Sequence, residues 1–146
     1  ALMRGFLANP EFGRNPTARE QGLSTLRQRI LDAPVDPALL RALRAQAQRA
    51  MPDARFLRLR SSTNAEDLPG FNGAGLYTST RVAATATDDE LATALRRVWA
   101  STWNFAGYEE RDFFRIDHQH VAMAVLVQES IDDDVATASM RVDSGK

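Results

Sequence analysis

A strand-like run, Phe56-Leu57-Arg58-Leu59-Arg60, passes without a break into a polar, glycine-containing stretch that ends at Leu76. Strand alternation puts Leu57 and Leu59 on one face and Phe56, Arg58 and Arg60 on the other. The leucines are therefore expected against a core and Arg60 toward a cleft at the strand's end. The stretch itself reads Ser61-Ser62-Thr63-Asn64-Ala65-Glu66-Asp67-Leu68-Pro69-Gly70-Phe71-Asn72-Gly73-Ala74-Gly75. A guanidinium fork followed by free backbone N–H groups suits anionic oxygens such as those of a polyphosphate. For Arg60 a surface or interdomain salt bridge fits the spacing as well, and spacing alone leaves both open. Gly-X-Gly is common in hairpin turns, and this stretch has neither the P-loop nor the dinucleotide-binding pattern.

The flanking pattern predicts a chain in which helices alternate with short strands. Residues 1–16, with Gly5, Pro10, Gly13 and Pro16, read as an irregular lead-in. Thr17 and Glu20 have the spacing of a capping box before the helical pattern of Leu23, Leu26, Ile30 and Leu31. Asp36 and Pro37 start a second helix that runs to about Ala50 and buries Leu39, Leu40, Leu43 and Ala47. Leu76 to Val82 reads as a returning strand. A second capping box, Thr87 to Glu90, opens a helix that ends near Asn104, and Gly107 separates it from a shorter helix reaching Arg115. Val121 to Gln128 is almost continuously apolar, as in a strand covered on both faces. Asp132-Asp133-Asp134 reads as a solvated turn, and Val135 to Val142 as a last strand.

At 146 residues the chain is one domain in size, and its net charge of −1 gives no bulk electrostatic case for nucleic acid or an anionic membrane. With no cysteine, disulfides and thiol catalysis are excluded. No apolar run reaches bilayer length and no signal-peptide layout opens the sequence, so a cytoplasmic location is expected. All but one of the 18 basic residues are arginines, and the one lysine, Lys146, closes the sequence. Chemistry that needs an internal lysine is therefore incomplete here, and the chain reads as a piece of something larger.

Other polar groups have plainer readings. Glu66 and Asp67 have the chemistry of Mg²⁺ ligands, but turn residues of that type accept bonds from their own loop. His118 and His120 would share one face of a strand, yet no third metal ligand accompanies them, so both read as structural or exposed. Trp99, Trp103 and Phe105 read as core, and Arg41, Arg44 and Arg49 as a solvated helix face.

The segment Arg60-Ser61-Ser62 through Glu66-Asp67, followed by Phe71-Asn72-Gly73-Ala74-Gly75, resembles the Arg-Ser-Ser-x-x-x-Glu-Asp segment and Phe-x-Gly flap of the phosphoenolpyruvate synthase and pyruvate phosphate dikinase family. Val98 to Trp103 resembles that family's helix after the flap, and Val121 to Gln128 its apolar strand ending in Val-Gln. The resemblance spans about residues 23–131.

It implies an α+β chain, a fragment of an ATP-grasp-like nucleotide-binding domain with a mixed sheet and flanking helices. Residues 17–131 form the family-like segment and residues 132–146 a truncated last strand. It further implies that Arg60 contacts the phosphates of ATP while Ser61 and Ser62 shape the strand exit. Gly73, Ala74 and Gly75 would close over the phosphates. Val127, Gln128, Glu129 and Ser130 would form the hinge that meets adenine. In that family ATP phosphorylates a histidine on a separate domain, which passes the phosphoryl group to pyruvate or another acceptor. The family's phosphate-binding lysine lies upstream of such a segment, and its Mg²⁺ ligands and phosphohistidine domain lie downstream. The chain alone is thus expected to be inactive or to bind ATP only weakly, and no catalytic or metal-ligating residue is assigned within it. The competing class is a non-catalytic nucleotide-sensing or protein-interaction module that keeps the fold. An ATP-grasp ligase with another acceptor fits the Arg-Ser-Ser and Glu-Asp segment less well.

Overall fold

The computed structural model describes residues 2–65 and 75–130. Among these residues six helices and three strands run in the order α1 (Leu2–Leu7), α2 (Pro10–Arg14), α3 (Pro16–Asp32), α4 (Pro37–Ala50), β1 (Phe56–Thr63), β2 (Thr80–Ala83), α5 (Asp88–Ser101), α6 (Phe105–Phe113) and β3 (Met123–Glu129). The sheet has the order β2-β1-β3, and both pairings are antiparallel. Among the described residues the expected mixed sheet is thus an antiparallel one, consistent with an α+β chain.

Local capping chemistry explains most boundaries. Thr87 and Glu90 form a reciprocal capping box at α5, and Asp36 caps α4 with Pro37 in its first turn, as expected. The predicted lead-in is instead two short helices. Asn9 caps α2 ahead of Pro10, and Asn15 caps α3 ahead of Pro16. Thr17 and Glu20 consequently lie inside α3 rather than at its start. The α5–α6 break is made by Asn104, whose side chain accepts from the Gly107 N–H at 2.6 Å. Gly107 is therefore in the first turn of α6 and does not interrupt the chain.

The core sits on one side of the sheet. Leu57 and Leu59 of β1 meet Leu91, Leu95 and Val98 of α5, with Leu40 and Ala47 of α4 completing the cluster. Leu39 was expected there but is 43% exposed, because it lies a turn's fraction away from the face that Leu40 and Ala47 bury. A second cluster of Phe12, Leu23 and Tyr108 joins the N-terminal helices to α6. Arg19 pins this end: it donates to the Phe12 and Gly13 carbonyls at 3.0 Å each and pairs with Glu109.

Gly22 is where these helices touch most closely, since a Cβ there would stand 2.9 Å from the Phe12 ring. That ring is buried between Phe6, stacked at 5.5 Å, and the edge-on Tyr108. Gly22→Val is expected to lower stability by about 1–3 kcal/mol through overpacking, measurable as a reduced urea midpoint. An unchanged midpoint would mean that α3 does not pack against Phe12 and Phe6 in this way.

Candidate functional site

The opposite face of the sheet carries no helix or strand among the described residues. Register and alternation place Phe56, Arg58, Arg60 and Ser62 of β1 on it, with Arg81 and Ala83 of β2 and Ala124, Leu126 and Gln128 of β3. Arg58, Arg60 and Ser62 are exposed there, and Leu126 is 55% exposed. Among the described residues the apolar run in β3 is thus covered on one side only. Val125 and Val127 pack toward α5, while Ala124 and Leu126 face outward. Strand β1 also continues to Thr63, so Arg60 stands in mid-strand, opposite Leu126, and not at the strand's end. Its backbone is held by pairing on β1, and its side chain has no ion-pair partner among the described residues.

The ladder's parity fixes what the sheet edge offers. Ser130 N–H donates to the Phe56 carbonyl at 2.9 Å, and Asn64 N–H to the Ala122 carbonyl at 3.3 Å. Even-numbered residues of β1 therefore form the hydrogen-bonded pairs with β3, and bonded and non-bonded pairs alternate. It follows that Val125, Val127 and Glu129 aim their backbone N–H and C=O groups away from β1, along the outer edge of β3. Of the four residues expected at the hinge, Gln128 shares the open face with Arg58 and Arg60. Val127 turns its side chain to the core, and Glu129 lies on the same side as Leu57. Ser130 continues the pairing with Phe56. Among the described residues, Val127 and Glu129 thus offer their backbone atoms, and not their side chains, to whatever lies along that edge.

Ser61 and Ser62 divide between the faces, Ser61 toward the helices and Ser62 outward. Beyond Thr63 the strand is prolonged by Asn64, whose side chain accepts from the Ala122 N–H and donates to the His120 carbonyl, both at 2.9 Å. Gly75 has φ of +80°, a left-handed conformation that glycine adopts without a Cβ penalty. Gly73 and Ala74, with Glu66 and Asp67, lie outside the described residues, as do Asp132 to Asp134 and the expected last strand.

After Gly75 the chain is tied down by polar groups that the sequence did not single out. The expected strand from Leu76 is irregular as far as Ser79, and β2 begins only at Thr80. Asn104 Nδ2 donates to the Leu76 carbonyl at 2.6 Å, and Thr78 N–H donates to Ser101 Oγ at 3.0 Å. Between them, the Tyr77 hydroxyl accepts from Arg111 Nη1 at 2.8 Å. Arg111 is fully buried and also donates to the Thr102 carbonyl at 2.7 Å and to His118 Nδ1 at 3.5 Å. In sequence, Arg111 looks like one more charge on an exposed helix. Its one local signal is the neighbouring Gly107 and Tyr108, which mark that face of α6 as buried.

His118 and His120 do not form a pair. His118 is buried and stacks on Tyr108 with ring centroids 3.9 Å apart, whereas His120 is exposed and bonds Asp117 at 2.7 Å. Among the described residues no three His, Asp or Glu side chains come together as a metal site. Burial, then the nearby Arg111 charge, holds the His118 pKa below its ordinary value. The unfolded chain therefore binds a proton more readily than the folded one. The contribution of neutral His118 is present above its unfolded pKa and is lost as pH falls through the folded value. Melting temperature is expected to fall on acidification from neutral pH, and His118→Gln should flatten that slope. An identical slope in the variant would contradict this placement.

Concave surface elsewhere has a different character. A groove between α4 and the β2–α5 corner is lined by Leu43, Ala47, Met51, Leu57 and Leu91, with Arg44 at its rim. It is apolar, and Arg44 is engaged by Asp88 at 2.7 Å. No helix among the described residues is long and apolar enough to cross a membrane.

Similarity to known proteins places this chain in a family. Residues 13–144 match the pyruvate phosphate dikinase, AMP/ATP-binding domain family. The chain is 30% identical over 122 residues to the phosphoenolpyruvate synthase of Aeropyrum pernix, covering 80% of this chain and 14% of that protein. It is 34% identical over 119 residues to the phosphoenolpyruvate synthase of Escherichia coli, covering 79% and 14%. A shorter stretch of 43 residues is 46% identical to alpha-glucan water dikinase 1 of Arabidopsis thaliana, covering 30% of this chain and 3% of that protein. The chain thus spans about a seventh of the phosphoenolpyruvate synthases that it matches. It belongs to the pyruvate phosphate dikinase AMP/ATP-binding domain family.

Proposed function

We propose that this chain is the ATP-binding segment of a dikinase-type phosphotransferase, with the nucleotide lying on the open face of the sheet. The observation that carries the reading is Arg60 in mid-strand on that face, with the outward-aimed backbone groups of Val127 and Glu129 on the adjacent strand β3, which is an edge strand among the described residues. Val127 lies one row from Arg60 along the strand and Glu129 three rows, or about 10 Å, and the Glu129 end gives a span suited to a base there and phosphates at Arg60. Arg60 contacts the phosphates, Ser62 flanks it, and Gln128 faces the ribose or base. Gly73, Ala74 and Gly75 close over the phosphates. The α+β arrangement is read as one half of an ATP-grasp-like cleft, the second wall coming from elsewhere in a longer protein.

In this reading ATP phosphorylates a histidine on another domain, and that histidine passes the group to pyruvate or another acceptor. Such transfer rests on positioned cations around the phosphates. The described residues do not supply a Mg²⁺ site, so no step is assigned to the metal here. A cytoplasmic location belongs to the same reading. The test is to incubate the longer protein carrying this chain with radiolabelled ATP and characterise the bound label. Acid-labile, base-stable phosphate on histidine is the expected result. ATP binding with no such label would favour the alternative, a nucleotide-sensing module that retains the fold.

A further inference from the structure

Strand β1 outlasts its partner β2. The β1–β2 ladder ends at Leu59 and Thr80, while β1 continues to Thr63 and pairs with β3 as far as Met123. Continued in register, Ser61 would face Thr78 and Ser62 would face Tyr77. Odd-numbered residues of β1 form the hydrogen-bonded pairs with β2, since Ala84 N–H donates to the Arg55 carbonyl at 2.9 Å. Ser61 therefore aims its backbone N–H and C=O at the place that Thr78 would occupy. Thr78 does not take it: its N–H donates to Ser101 Oγ at 3.0 Å. Among the described residues no strand pairs with Ser61 on that side.

Three side chains from α5, α6 and their junction hold the chain away from β1. Asn104 takes the Leu76 carbonyl, Arg111 the Tyr77 hydroxyl and Ser101 the Thr78 N–H, one tie for each successive residue. Ser101 is itself fixed, because its hydroxyl donates to the Val98 carbonyl at 2.7 Å. Tyr77 is buried and fits against Gly107, where a Cβ would stand 3.3 Å from its ring. Gly75, just before the ties, is exposed, with open space where a Cβ would lie. The backbone of an irregular segment needs partners, but pairing with β1 would supply them for Thr78 equally well. The three ties keep the chain off a strand that it is in register to join.

We infer that Ser101, Asn104 and Arg111 are positioning residues of the nucleotide site, and that the Ser61 backbone N–H they leave open is a phosphate donor beside Arg60. The inference rests on the proposed nucleotide reading and adds a backbone group to it. A backbone N–H next to a guanidinium suits a phosphate oxygen. The donor is lost when the chain closes up and Thr78 returns to Ser61. Ligands that carry phosphates gain from it, and adenosine does not.

The test follows NMR signals while MgATP, adenosine or inorganic tripolyphosphate is added to the wild-type chain and to Ser101→Ala, Tyr77→Phe and Gly22→Val. Gly22→Val lowers stability by overpacking against Phe12, away from residues 76–78, so it serves as the control. In the wild type the Ser61 amide should shift saturably with MgATP and tripolyphosphate and stay still with adenosine. Ser101→Ala should bring cross-strand contacts between Ser61 and Thr78, and weaken ATP and tripolyphosphate about threefold to tenfold. Tyr77→Phe, which removes one hydroxyl and keeps the ring, should weaken both in the same direction. Adenosine affinity should stay unchanged in these two variants, and Gly22→Val should bind ATP as the wild type does.

A Ser61 amide that stays still while the Arg60 side chain responds to MgATP overturns the phosphate donor and leaves the nucleotide site standing. Ser101→Ala and Tyr77→Phe chains that bind ATP as tightly as wild type overturn the positioning roles in the same way. If tripolyphosphate moves the Ser61 amide while adenosine does not compete with ATP, the donor stands and the nucleotide reading falls. If neither MgATP nor tripolyphosphate moves any signal, both fall. Equal losses for ATP and adenosine, or the same loss in Gly22→Val, would make the ties purely structural and overturn the inference.

Discussion

Arg111→Ala is expected to cost about 3–5 kcal/mol of folding stability, from the cavity and the unpaired acceptors together. The side chain is fully buried, so its removal leaves a space that the rigid α5–α6 corner cannot close. It also orphans the Thr102 carbonyl and removes the donor to the Tyr77 hydroxyl. Arg111 lies near the Trp103 ring as well, with the guanidinium carbon 5.5 Å from its centroid. Lysine should not rescue the loss, because a single ammonium cannot reach acceptors arranged around a planar fork. The chain would lose a large part of the 5–15 kcal/mol typical of a domain, read as a reduced urea midpoint. A midpoint equal to wild type would mean that Arg111 is not the buried tie between residues 76–78, α5 and α6.

Arg60→Ala carries the second large effect, on binding. Loss of a charge-assisted, two-pronged contact is expected to weaken ATP by roughly 10–100-fold, or about 1.5–3 kcal/mol. Stability should hardly move, because the side chain is exposed and has no ion-pair partner among the described residues. Arg60→Lys should fall between the two, keeping charge but losing the fork. Calorimetric titration with MgATP reads all three. Equal affinities would remove Arg60 from the site, whatever else binds there.

The sequence disclosed what local chemistry decides. The Thr87–Glu90 box, the Asp36–Pro37 start and the alternation of Leu57 and Leu59 against Arg58 and Arg60 each depend on a few adjacent residues, and all hold in the fold. Features that depend on distant partners were misread. The apolar stretch of β3 resembled a doubly covered strand, but Leu126 and Ala124 are exposed on a face that no helix or strand covers among the described residues, which no short-range signal reveals. Gly107 looked like a helix breaker because glycine often is one, while Asn104 supplied the actual cap. Asn9 and Asn15 likewise made helices out of a segment that Gly and Pro marked as irregular.

The candidate site was legible in the same uneven way. Arg60 and its shared face with Arg58 follow from period-two alternation alone. That Arg81 joins them requires the β1–β2 register, which the length of the intervening chain conceals. The edge-facing backbone of Val127 and Glu129 requires the β1–β3 register and the edge position of β3. The buried tie through Arg111 and Tyr77 joins residues 34 apart, beyond the reach of any motif.

The open sheet face as the nucleotide site is tested most directly by a MgATP titration of the isotopically labelled chain followed by amide and arginine side-chain NMR. The expected result is saturable shifts at the Val127 and Glu129 amides and at the Arg58 and Arg60 Nε–H groups, which lie on one edge and one face. Saturable shifts confined to the groove of Leu43, Met51 and Leu91, with the sheet face unmoved, would contradict it.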